Sequence, residues 1–182
     1  MQGQPPRIPP LDEAEWSDET RQLLSAVTPP DGSPFNIFKT IVRHPGLYRR
    51  WMVFGGHILR HNSLTPRERE LLILRTGHRC KSAYEFHQHR RIGMAAGLGA
   101  DEIDRVREDD LASWPEREAL LLQAADELHQ DKTLTDATWN ALAQRYTVEQ
   151  LLDLIFTVGQ YTLVSMALNS LRVQIEDEEQ RP

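Results

Sequence analysis

The chain has one cysteine, Cys80, among its 182 residues. A single thiol closes no internal disulfide and completes no multi-cysteine zinc pattern, so the composition suits a reducing cytoplasm. Positive charge is also in short supply, with 21 Lys and Arg against 27 Asp and Glu, a formal charge of -6. That balance excludes a broad electrostatic grip on nucleic acid or on an anionic membrane, since both need a basic face. Strand-like alternation is nearly missing, and no glycine-rich phosphate loop or internal repeat is present. The opening stretch MQGQPPRIPPLDEAEW lacks an apolar core and carries four prolines. It is expected to be neither a signal peptide nor an anchor but an extended arm.

Long apolar runs are limited to LLDLIFTVGQYTLVSMALNSL, residues 151–171. The run is long enough to cross a bilayer, but Asp153, Gln160 and Asn169 would each be costly in lipid. It reads as a buried helix of a bundle or of a subunit interface. With 40% hydrophobic and 26% charged residues, the composition is that of an ordinary globular protein.

Helix punctuation is abundant. Thr65-Pro66-Arg67-Glu68 supplies an N-cap, a first-turn proline and a capping-box glutamate ahead of LLIL. Ser113-Trp114-Pro115-Glu116 and Thr147-Val148-Glu149-Gln150 offer the same chemistry further on, and Thr135 caps the next segment. Gly77, Gly97 and the segment TPPDGSP at 28–34 are candidate stops. These signals predict helices over 17–27, 35–43, 46–61, 66–79, 83–96, 100–107, 115–130, 136–145 and 148–175. The expectation is an all-α single-domain bundle over 31–176, with residues 1–30 as an arm and 177–182 as an acidic tail.

Within SAYEFHQH, residues 82–89, Glu85 and His89 stand four apart and share one helical face, whereas His87 points elsewhere. A carboxylate beside an imidazole makes a general base or proton relay near neutral pH. Ser82, at the N-cap, would set a hydroxyl and free amides next to that pair. A structural alternative stands beside this one: Ser82 to Glu85 also fits a capping box, in which the glutamate does no chemistry.

The stretch LTPRERELLILRTGHRCKSAYEFHQHRRIGMAAGLGADEI resembles the signature region of the carboxymuconolactone decarboxylase-like family, which includes the alkyl hydroperoxidase D-type proteins. NIFKTIVRHPGLYRRW and VGQYTLVSMALNSL extend the similarity from about Asn36 to Gln174. The family's redox branch has a glutamate, eleven residues, a CxxC pair, three residues and a histidine. Anchoring that pattern on His89 sets Glu70 on the glutamate, and Ser82 and Glu85 on the two cysteines. Both thiols are replaced.

The resemblance therefore implies the acid–base branch: a cofactor-free lyase or isomerase acting on a small carboxylated or lactone substrate. His89, Glu85, Glu70 and Ser82 are its candidate catalytic residues. Arg75, Tyr84 and His57 are candidate substrate contacts, since a guanidinium can hold a carboxylate through two parallel bonds. Peroxide reduction centred on Cys80 is the alternative, and a non-catalytic binding protein is a further one. His57 and His61 stand four apart without a third ligand, so no metal is expected, and the resemblance to the decarboxylase branch implies no cofactor. The resemblance also implies a homo-oligomer, a dimer or trimer of dimers. Gly159 on the late helix is expected to serve close helix packing, and Asn169, if buried, to find its partners in a subunit contact.

Overall fold

The computed structural model describes residues 4–29 and 32–176, and these contain helices and turns with no strand. In chain order the helices are α1 (Asp18–Ser25), α2 (Asn36–Ile41), α3 (Pro45–Arg60), α4 (Pro66–Arg79), α5 (Ala83–Ala95), α6 (Ala100–Arg105), α7 (Glu116–Gln130), α8 (Asp136–Ala143) and α9 (Val148–Leu171). Each expected helix is present. The chain divides into two compact units, one formed by residues 1–56 and 167–182, the other by His57–Met166.

In the first unit Leu24, Val42 and Tyr48 form a core, with Leu11, Trp16 and Phe38 packed on it. The Leu11 amide donates to the Lys39 carbonyl at 3.0 Å and Arg43 donates to the Pro9 carbonyl at 2.9 Å. The described part of residues 1–30 is thus folded rather than an extended arm. Burying leucine and tryptophan outweighs the extended bias of the prolines. The acidic tail at 177–182 lies outside the described residues.

In the second unit α4 is the central element. Its residues Leu71, Leu72, Ile73 and Leu74 are all fully buried, so apolar contacts surround it on every side. Leu72 joins the cluster built on α7, α8 and α9, while Leu71 and Leu74 pack with Phe86, Ile103 and Trp114. The start of α4 is the expected capping box: Thr65 accepts from the Glu68 amide, and Glu68 accepts from the Thr65 amide. Thr147 and Gln150 cap α9 in the same reciprocal way. Ser113 does not cap α7, whose N-cap is Pro115 with no side-chain bond.

Gly77 does not stop α4. The helix runs on to Arg79, and the turn comes at Lys81, whose φ of 54° reverses the chain into α5. Gly77 instead lets α5 approach, since a Cβ there would stand 3.1 Å from the Glu85 Cγ. Gly97, with φ at 92°, is the true stop after α5. The last helix ends at Leu171, short of the expected 175, because Arg172 turns left-handed at φ 55° and the Val173 amide closes back on the Leu168 carbonyl.

Candidate acid–base site

The α4–α5 hairpin decides which side chains meet. Glu70 lies one turn into α4 and is fully buried; Glu85 and His89 lie on the inward face of α5 and are 4% and 6% exposed. The tight reversal at Lys81 folds these faces together. His89 Nδ1 then stands 2.7 Å from Glu70 Oε2, and its Nε2 stands 3.5 Å from Glu85 Oε1. His87 is exposed, as its angular position requires.

Glu70 uses its other oxygen to accept from Arg69 Nε at 3.0 Å, and Arg69 also donates to the Leu59 carbonyl at 3.0 Å. With both Glu70 oxygens acting as acceptors, the imidazole donates from Nδ1 and turns Nε2 toward Glu85. Tyr161 from α9 completes the wall, its ring edge-on to the imidazole with centroids 4.9 Å apart.

Burial pushes the Glu85 carboxyl up to about 7, a tendency that Glu70 reinforces and His89 opposes. Burial alone would lower His89, but the Glu70 charge and hydrogen bond, with Glu85 beside them, outweigh it and the imidazole is raised. Two buried groups, one a carboxyl raised to about 7 and the other an imidazole raised by its carboxylate neighbours, therefore stand side by side in one cluster.

The capping alternative for Ser82 and Glu85 fails. Ser82 is the N-cap of α5 by backbone geometry, yet its hydroxyl makes no capping bond, and Glu85 faces His89 instead. Among the described residues, Ser82 Oγ and Glu85 Oε2 are buried with no hydrogen-bond partner. Orphaned buried oxygens cost about 1–3 kcal/mol each, so a fold that keeps two of them one turn apart has them available to something else.

Other expected contacts are placed elsewhere. Arg75 is fully buried and donates two parallel bonds to Asp126, at 2.8 and 2.6 Å, and another to the Glu108 carbonyl at 2.6 Å. Its guanidinium ties α4 to α7 and to the loop after α6, which corrects the expectation of a substrate contact. His57 donates from Nε2 to Asp153 Oδ1 at 2.7 Å, while Asp153 Oδ2 accepts from the amide and hydroxyl of Ser63. His57 thus belongs to a separate surface cluster that anchors α9. Tyr84, the chain neighbour of Glu85 on α5, is buried.

Cys80 sits at the end of α4, with its sulfur 3.5 Å from His129 Nδ1. Burial raises its thiol, the Thr162 and Ser165 hydroxyls acting against that. Among the described residues no group of three or more His, Cys, Asp or Glu side chains is arranged to hold a metal ion.

Arg69 and Tyr161 were not marked as site residues by the sequence. Arg69 neighbours Glu70 in the chain, and adjacent helical residues ordinarily face apart, so no spacing rule connects them. Tyr161 lies 72 positions beyond His89 on an apolar helix; nothing local relates the two.

Residues 45–127 match the model of the carboxymuconolactone decarboxylase family. No curated protein matches the sequence. Among solved structures, a peroxidase-related protein from Ralstonia eutropha with the alkylhydroperoxidase AhpD core has a TM-score of 0.84 at 22% identity, over 97% of this chain and 95% of that one. A peroxidase-related protein from Silicibacter has a TM-score of 0.83 at 13% identity, over 99% and 97% of the two chains. The debrominase Bmp8 has a TM-score of 0.77 at 13% identity, over 93% and 91%.

Proposed function

We propose a cofactor-free enzyme that moves protons on a small carboxylated or lactone substrate, a reading supported by the match of residues 45–127 to the carboxymuconolactone decarboxylase family and by the likeness of the fold to the AhpD core. The observation that carries this is the clamp on His89: a carboxylate at 2.7 Å on one ring nitrogen and a second carboxyl at 3.5 Å from the other. Glu70 holds the ring and fixes its tautomer. Nε2 is then the working nitrogen, and Glu85 is the group that exchanges a proton with it or with the substrate.

In the decarboxylating form, the bond from carbon to the leaving carboxylate breaks and its electron pair moves into the adjacent carbonyl, giving an enolate. Carbon dioxide leaves, Glu85, carried as the acid, delivers its proton to the enolate carbon, and the Glu85 carboxylate regains a proton from solvent by way of His89 Nε2. The Ser82 hydroxyl, lacking an internal partner, would donate to the developing oxyanion. In the isomerising form Nε2 first removes a carbon-bound proton, and the same groups return it at another carbon. A small substrate and a cytoplasmic setting agree with the acidic, single-cysteine composition.

A thiol-based peroxide reduction fits these residues poorly. The two positions that would carry the sulfur pair are Ser82 and Glu85, and burial holds the Cys80 thiol protonated where attack on peroxide needs the thiolate. The test is a pair of substitutions assayed against lactone, β-keto acid and peroxide panels. H89Q is expected to abolish turnover of the carbon acids while folding normally, and C80S to leave it intact. Turnover that survives in H89Q, or peroxide reduction lost in C80S, would refute the assignment.

A further inference from the structure

Four arginines stand on α4, and three of them reach carboxylates far away in the chain. Arg67 pairs with Glu102 and Glu118, while Arg75 and Arg79 both pair with Asp126. These ion pairs join α4 to α6 and α7. Arg69 differs: its carboxylate is Glu70, the next residue, held by one bond from Nε at 3.0 Å. An ion pair between chain neighbours joins no two elements. Neighbours on a helix also point about 100° apart, so the Arg69 side chain must fold across the helix surface to reach Glu70. The clip that Arg69 does make, from Nη1 to the Leu59 carbonyl at the end of α3, needs neither Nε nor Glu70.

The consequence of the contact lies on the other side of the carboxylate. Glu70 is fully buried, the Arg69 side chain is 13% exposed, and Glu70 Oε2 stands 2.7 Å from His89 Nδ1. When the ring and the carboxyl together carry one extra proton, the hydrogen in that short bond has two places to rest. On Nδ1 it leaves a carboxylate beside an imidazolium, two charges in a buried space. On Oε2 it leaves a neutral acid beside a neutral ring. Burial favours the neutral form, because separated charge is costly in an apolar interior. A guanidinium on Oε1 favours the charged form, because it touches the negative partner. The other titratable groups facing the ring do not supply this. Glu85 from α5 is a carboxyl raised to about 7, and the Tyr161 phenol from α9 is raised well above its usual range and stays neutral.

We propose, resting on the reading of His89 as the working acid–base group, that Arg69 is a positioning residue of that site: its charge on Glu70 Oε1 holds the shared proton on His89 Nδ1. An imidazolium gives up a proton from Nε2, and the neutral ring that remains takes one back at the same atom. A neutral ring whose hydrogen already sits on Nε2 does neither. From behind Glu70, Arg69 therefore sets whether Nε2 can relay a proton to Glu85.

Nitrogen NMR of the full chain with labelled histidine tests this on the acid side of the His89 titration. The wild-type ring is expected there as an imidazolium, with hydrogen on both nitrogens. R69M should show a neutral ring with hydrogen on Nε2 alone, and R69K, which keeps the charge, should restore the imidazolium. R69Q removes the charge but retains a donor for the Leu59 carbonyl, so it gives the same answer where R69M folds badly. In turnover of a lactone or β-keto acid, the neutral variants should lose about 10-fold or more in kcat with KM within about twofold, because Arg69 acts through Glu70 and not on the substrate. An imidazolium in R69M or R69Q, a neutral ring in R69K, or an unchanged kcat in the neutral variants would overturn the proposal. The ring is observed without substrate, so the two readings fail separately. A ring that responds as expected in a protein inert toward carbon acids sinks the catalytic reading alone; turnover with an unresponsive ring sinks the role of Arg69 alone.

Discussion

Replacing Glu85 by Gln keeps the shape of the side chain and removes its ability to ionise. In the folded protein the Glu85 carboxyl is displaced from 4.5 to about 7, chiefly by burial. A tenfold change in an acid constant corresponds to about 1.4 kcal/mol, so the fold resists ionising this group by about 3 kcal/mol. Unfolded, Glu85 ionises near pH 4.5; folded, it keeps its proton until about pH 7. Between those values the folded state holds the extra proton. The stability associated with the group is therefore complete below pH 4.5 and is lost as pH rises through about 7. E85Q has no such loss. At pH 5 the two proteins should differ by less than about 1 kcal/mol, and at pH 8 E85Q should be the more stable by about 3 kcal/mol.

For a chain of this length that difference is a rise of roughly 6–12 °C in melting temperature at pH 8, with little change at pH 5. The depressed carboxylates, such as Glu68, Asp126 and Asp153, are common to both proteins, and only the part of the His89 shift that Glu85 causes enters the difference beside Glu85 itself. Their contribution falls away as pH drops below their unfolded values and cancels in the difference. Thermal melts of both proteins at four pH values between 5 and 8 measure it. If the difference is the same at every pH, Glu85 is not held as an acid, and its part in proton transfer falls with it. The same substitution should lower kcat, because a buried amide delivers no proton.

Glu70→Gln removes the charge that raises His89, so the histidine titration followed by NMR should move to lower pH and turnover should fall about 100-fold or more; an unmoved titration would show that Glu70 does not hold the ring. Arg75→Lys keeps the charge but loses the two parallel bonds to Asp126 and the bond to the Glu108 carbonyl. It should cost about 3 kcal/mol or more by denaturant unfolding while sparing the chemistry of folded molecules. A variant as stable as the wild type would return Arg75 to the list of ligand contacts.

The helices could be located in the sequence because their ends carry local chemistry. Thr65 with Glu68, Thr147 with Gln150, and Gly97 past the end of α5 each fix a boundary within a few residues of the chain. The acid–base pair on α5 was legible for the same reason, since a four-residue spacing is a statement about one helical face. Bringing Glu70 to it required the resemblance to a known pattern, because the hairpin angle set by Lys81 and Gly77 is not written in any periodicity.

Residues whose meaning depends on a distant partner were read wrongly or missed. Arg75 and Asp126 are 51 positions apart, so an arginine next to the site looked like an anion contact when its donors are in fact occupied inside the fold. Leu24 and Trp16 drew the N-terminal segment onto α2 and α3, a burial that a proline count does not report. Gly159 is the reverse case. The sequence marked it as a position of close packing, and the fold supplies nothing for it to pack against. A residue that costs helix stability and gains no internal contact is informative about what lies outside the chain.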